Sequence, residues 1–181
     1  MQTHPEKAEE PANINVMLWQ LLHRSSRAVV RVRQKELDNY GITVTGAAVL
    51  ETVIRLVKSG ERPTPTEVAR LLFLEANSVS EQLKRMAADG LIRKVKDLNR
   101  KNLVRIEVTE RGYKLYRDTL NQKSIDAVMS LLTDKQKEEL WSLLTMLRER
   151  AVNELGLEEM ELYPPSAFPG KPDSTEALSH Q

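Results

Sequence analysis

Apolar residues recur every three or four positions over most of the chain, and in one short stretch they recur every two. From residue 14 to 40, Ile14, Leu18, Leu21, Leu22, Val29, Val32 and Leu37 keep the helical period with charges between them, predicting one long helix that Gly41 ends. Thr43 is placed to cap a second helix from Val44 to Lys58, with an apolar stripe of Val49, Leu50, Val53, Ile54 and Val57. Residues 58 to 63, Lys-Ser-Gly-Glu-Arg-Pro, read as a loop. In Thr64-Pro65-Thr66-Glu67 a capping Thr, a Pro at the first helical position and a Glu that reaches back open a short helix through Val68, Ala69, Leu71 and Leu72. After a break at Phe73 to Glu75 another helix is expected from Ala76 to Ala88. Its inward stripe is Val79, Leu83 and Met86; Asn77, Ser80, Glu81 and Lys84 lie opposite, and Gly90 closes it in a left-handed cap.

The period then falls to two. Val104, Ile106 and Val108 alternate with Leu103, Arg105 and Glu107, which predicts a strand, and Leu91 to Val95 supplies its antiparallel partner across a polar turn at Asn99 to Asn102. From Thr109 the helical period returns through Leu115, Tyr116, Leu120, Ile125, Val128, Met129, Leu131 and Leu132. Thr133 with Gln136 forms a second capping box, opening a helix with Leu140, Leu143, Leu144, Leu147 and Val152 that ends at Gly156. Two short helices, a glycine and a basic hairpin make a helix-turn-helix with a wing.

Charge sharpens this reading. The formal net charge is only +1, but residues 78 to 105 hold eight basic residues against Glu81, Asp89 and Asp97, while the two ends of the chain are acidic. A basic centre inside a balanced total points to a polyanionic partner. At 181 residues and 40% hydrophobic content the chain can bury an ordinary core. No run reaches the ~18 apolar residues of a membrane span, and the acidic start with Pro5 and Pro11 is unlike a signal peptide, so a cytoplasmic protein is expected. Without cysteine there is no disulfide frame, thiolate metal site or thiol switch. His4, His23 and His180 are too dispersed for a metal triad, and no Gly-rich phosphate loop or nucleophile elbow occurs. Neither an enzyme, a metal nor a cofactor is therefore expected.

The order of a long helix, a helix-turn-helix, a basic hairpin and further long helices resembles the MarR family of bacterial transcriptional regulators. Gly41-Ile42-Thr43 is similar to the family's Gly-Leu-Thr. Ser78-Val79-Ser80 with Leu83, Arg85, Met86 and Gly90-Leu91-Ile92 follows its recognition-helix pattern, and Asp97 with Ile106-Glu107-Val108-Thr109 and Gly112 follows its wing and exit. The match spans residues 14 to 153. Two positions depart from it: the wing tip carries Arg100-Lys101-Asn102 where Asp-Arg-Arg or Asp-Lys-Arg is common, and Glu81 stands where the family often has a basic or hydroxyl side chain.

The resemblance implies a mainly α fold with a small β-hairpin wing, a winged helix-turn-helix plus a helical dimerisation region. Residues 43–109 would bind DNA and residues 14–42 with 110–155 would form the dimer, between a flexible segment at 1–13 and an acidic, Pro-rich, disordered tail at 156–181. The implied function is a homodimeric repressor on a pseudo-palindromic operator in double-stranded DNA, released by a small-molecule effector. Candidate DNA contacts are Thr66, Asn77, Ser78, Ser80, Glu81, Lys84 and Arg85 on the helices, and Arg93, Lys94, Lys96, Arg100, Lys101 and Arg105 on the wing. Trp19, His23 and Tyr40, which combine apolar surface with a polar handle, are candidates for effector binding. A winged-helix module docking an acidic protein is the alternative reading of the same basic wing.

Overall fold

A computed structural model describes residues 13–61, 63–96 and 104–157. Expectations for the N-terminal segment, the wing tip at Asp97 to Leu103 and the tail beyond Leu157 lie outside the described residues. The helices are α1 (Ile14–Leu37), α2 (Val44–Lys58), α3 (Pro65–Leu71), α4 (Ala76–Ala88), α5 (Glu110–Thr119), α6 (Lys123–Met129) and α7 (Asp134–Glu154), with a 3-10 turn at Asp38–Tyr40. Between α4 and α5 lies an antiparallel hairpin, β1 (Ile92–Lys96) and β2 (Val104–Val108), in which Ile92 pairs with Val108 and Lys96 with Val104.

Local chemistry sets most of these boundaries. Thr43 accepts a hydrogen bond from the Gly46 N–H, and α2 starts one residue later. At α3, Glu67 N–H donates to the Thr64 hydroxyl at 3.3 Å while the Glu67 carboxylate accepts from the Thr64 N–H at 2.7 Å, a complete capping box. Thr133 and Gln136 repeat it at α7. The turn between α3 and α4 places Phe73 at φ +52°, a left-handed conformation that most side chains avoid, so that Leu74 N–H reaches the Ala69 carbonyl.

Helix α2 occupies the centre, packed by α1, α3, α4, α5 and β2. Around it Leu37, Val49, Leu50, Val53, Ile54, Val68, Val79, Leu83, Met86, Ile92 and Ile106 form one buried cluster. The anticipated stripe of α2 needs one correction: Val57 is 36% exposed, and Leu56, at 3%, takes its place in the core. A helix packed on several sides buries a wide arc rather than a single stripe.

The run from Thr109 to Leu132 also differs from the expected continuous helix, being broken at residues 120–122 into α5 and α6. The cause is a long-range clamp from α1. Arg33 donates to the Thr119 carbonyl at 2.6 Å, at the C-terminus of α5. Glu36, ion-paired with Arg33, accepts from both the N–H and the hydroxyl of Ser124 in the first turn of α6. Carbonyls that would have continued α5 and N–H groups that open α6 thus find partners on α1 instead.

Candidate nucleic-acid interface

Helix α4 is held by its inner face and offered to solvent by its outer one. Val79, Leu83 and Met86 are buried, whereas Asn77, Ser78, Glu81, Lys84 and Arg85 are exposed and Ser80 lies at the margin. Its C-terminus is fixed by Gly90 at φ +68°, after which Leu91 N–H returns to the Met86 carbonyl and the chain enters β1. Thr66 is exposed on α3. Thr64 by contrast is buried, and its hydroxyl is committed to Glu67.

The wing is anchored at its base. Ile92 and Ile106 enter the core, Ile106 N–H donates to the buried Pro63 carbonyl at 3.0 Å, and Thr109 N–H donates to the Leu91 carbonyl at 3.1 Å. Gly112 makes this exit possible, because a Cβ there would lie 2.2 Å from the Leu91 carbonyl oxygen. The register sorts the wing's cations. Lys94 and Lys96 share a face with buried Ile92, while Arg93 and Arg105 share the opposite face with Glu107, which is paired directly with Arg93. Arg100 and Lys101 lie outside the described residues.

Glu81 is engaged on its own helix. Lys84 Nζ donates to its carboxylate at 2.6 Å, with the Glu81 and Lys84 side chains 59% and 66% exposed. This hydrogen bond, the charge of Lys84 and more distantly Arg85 and Lys94 hold the Glu81 carboxyl below the ordinary carboxylate range. Of these contributions that of Lys94, on the wing, is the smallest.

The effector candidates do not all gather in one place in this chain. Trp19 and His23 are exposed neighbours on α1, ring centroids 6.0 Å apart, but Tyr40 follows the far end of that helix, roughly 27 Å beyond Trp19 at 1.5 Å per residue. An open depression of about 590 Å³ lies on α1 along Arg27, Val30, Arg31 and Gln34, and another of about 580 Å³ along α5. None of the three aromatic candidates lines either one. The clamp of Arg33, Glu36 and Ser124 was not anticipated; in the sequence its only trace is an Arg-x-x-Glu spacing that any solvated helix face can show.

Comparison with known proteins follows from this geometry. The sequence matches no protein-family model and no curated protein. Solved structures do match. The organohalide-sensing RdhR transcriptional regulator, solved with 2,4-dichlorophenol bound, is 27% identical and superposes with a TM-score of 0.72 over 85% of this chain and 92% of its own. A MarR mutant from E. coli in complex with operator DNA gives a TM-score of 0.68 at 20% identity, covering 77% of this chain and 99% of its own. A MarR-family transcriptional regulator from Rhodococcus gives 0.65 at 18%, covering 76% and 97%. The chain has the MarR-family fold. Within that fold α3 and α4 are the helix-turn-helix and the hairpin is the wing. Among the described residues no single helix is long and apolar enough to cross a membrane.

Proposed function

We propose that the chain is a sequence-specific, double-stranded-DNA-binding transcriptional regulator. The observation that carries this reading is the exposed polar face of α4, with Asn77, Ser78, Glu81, Lys84 and Arg85, followed directly by a hairpin that exposes Arg93, Lys94 and Lys96. A helix of this width fits the major groove, and cations beside it hold the phosphate backbone. Arg100 and Lys101 are assigned to the adjacent minor groove. The S. aureus MepR–DNA complex, with a TM-score of 0.62 at 20% identity, and the E. coli operator complex support DNA as the ligand.

The active form we assign is a homodimer acting as a repressor on a pseudo-palindromic operator, since two copies of α4 then meet two half-sites about one helical turn apart. Support for the dimer comes from the apolar side chains that α1 and α7 leave exposed, among them Leu18, Trp19, Leu21, Leu143, Met146 and Leu147. Release by a small molecule is supported by the dichlorophenol bound to the RdhR regulator. Cysteine oxidation is closed to a chain without cysteine, so such control would be non-covalent.

Titration of random and selected duplexes across salt tests the reading. Affinity should fall linearly with log salt, and replacing Lys94 and Lys96 with alanine should weaken every duplex and flatten the slope by about 1.8 for two phosphates. Binding to an acidic protein with no measurable duplex affinity would replace DNA as the partner.

A further inference from the structure

Successive helical residues turn by about 100°, which puts Glu81 roughly 190° from the centre of the buried Val79, Leu83 and Met86 stripe. It therefore points almost straight away from the core, on the outer face of α4 that a groove would receive. A bare carboxylate at that place would oppose binding, through repulsion from phosphates and from the acceptor-rich groove floor. Glu81 is not bare: Lys84 Nζ sits 2.6 Å from it, and the two exposed groups cancel in charge.

The pair keeps binding capacity on both sides. An ammonium has three N–H donors, and one is used on Glu81; a carboxylate has about four acceptor positions, and Lys84 occupies one. What remains is an acceptor beside a cationic donor, held one hydrogen-bond length apart. In the major groove a C·G pair presents the complement, the cytosine N4 amino donor beside the guanine O6 and N7 acceptors. An A·T pair fits less well, because its adenine N6 donor is flanked by acceptors on both sides, N7 and thymine O4, and these repel a carboxylate.

We propose that Glu81 and Lys84 act as one neutral reading unit that selects a C·G base pair in a single orientation, the carboxylate accepting from cytosine N4 and the ammonium donating to guanine O6 or N7. The inference rests on the DNA-binding reading above and adds its specificity determinant. Lys84 is then a base reader rather than a phosphate clamp, and Glu81 is what makes it one.

Selection of bound duplexes from a random pool, with wild type and two variants, tests this. The wild-type motif should hold one fixed C·G pair per half-site, favoured about tenfold or more over the other pairs. Glu81→Gln should move that single position to A·T, since a carboxamide bonds adenine N6 and N7 together, and leave the other positions as they are. Lys84→Met should blur the same position and, because it bares the Glu81 carboxylate, also weaken every duplex. A motif that Glu81→Gln leaves unchanged, or a wild-type motif kept by Lys84→Met with affinity alone reduced, the mark of a phosphate contact, would overturn the proposal while DNA binding stands. If wild type enriches no motif, the DNA reading fails and this one with it. Both side chains are solvent-exposed, and matching thermal melts of the variants confirm that folding is not what changed.

Discussion

The winged part of the molecule and its terminal helices bury their apolar residues in opposite ways. Of the seventeen buried apolar side chains among the described residues, Pro63 included, sixteen lie from Leu37 to Ile106, and Val152 alone lies outside. Helices α1 and α7 also repeat apolar residues at helical spacing, α7 less regularly than α2, but most of these side chains face solvent. Periodicity thus reports that a face is to be covered and leaves open by what. The winged part buries its face within the chain, under its own α3, α4 and β2 with α1 and α5 packed alongside. The terminal helices leave apolar side chains uncovered in the single chain, and these are the faces that the homodimer proposed above would bury.

Loss of that second surface is the largest effect expected. Leu143 is 58% exposed in one chain, so Leu143→Asp should leave an isolated chain almost untouched. In a two-fold dimer the same change occurs twice, and at about 1.5–3 kcal/mol for each buried leucine it should weaken association by roughly 3–6 kcal/mol. Light scattering at micromolar concentration should then move from twice 20.7 kDa toward 20.7 kDa. An unchanged mass would show that α7 is not the contact, and a wild-type monomer would remove the contrast altogether.

The next effect breaks the other side of the comparison. Leu83 is fully buried between α4 and the core, so Leu83→Ala should cost about 2–5 kcal/mol through lost burial and the cavity left behind. Denaturant unfolding followed at two protein concentrations separates the regions: the Leu83→Ala loss should be the same at both, whereas the Leu143→Asp loss should depend on concentration. A concentration-dependent Leu83→Ala loss would mean that the winged core, too, is finished by the partner.

What could be read from the sequence divides along the same line. The bounds of α2 and α4, both capping boxes and the turn at Gly90 are local, set by residues within about four positions of one another, and all are visible in the sequence. Leu56 was missed because five neighbours widen the buried arc of α2, and neighbours are not local information. The break between α5 and α6 was missed for the same reason, since its cause, Arg33 and Glu36, lies more than eighty residues earlier. At the candidate site, helical period alone put Glu81 and Lys84 on the outer face of α4. That Lys94 shares a hairpin face with buried Ile92 while Arg93 lies on the other, opposite Glu107, required the register of the hairpin.

The smallest of the expected effects lies within the terminal region, at the joint of α1 with α5 and α6. Glu36 on α1 has its carboxyl held below the ordinary range, chiefly by the hydrogen bond from the Ser124 hydroxyl, opposed by burial and aided by Arg33. A folded-state value below the unfolded one means stability that is fully present above the unfolded glutamate pKa, about 4.3, and is lost as pH falls through the lowered value. Glu36→Gln removes that charge. At pH 7 the variant should melt a few degrees below wild type, and the gap should narrow as pH falls below about 4.3, because wild type then loses the same interaction by protonation. Hydrogen exchange adds the location: amides in the first turn of α6 should open faster in the variant while those of α4, held by the winged core, keep their protection. A gap of equal size at pH 7 and pH 3 would mean that the packing of Glu36 rather than its charge holds the joint, and faster exchange in α4 would mean that the two regions are not separate in stability.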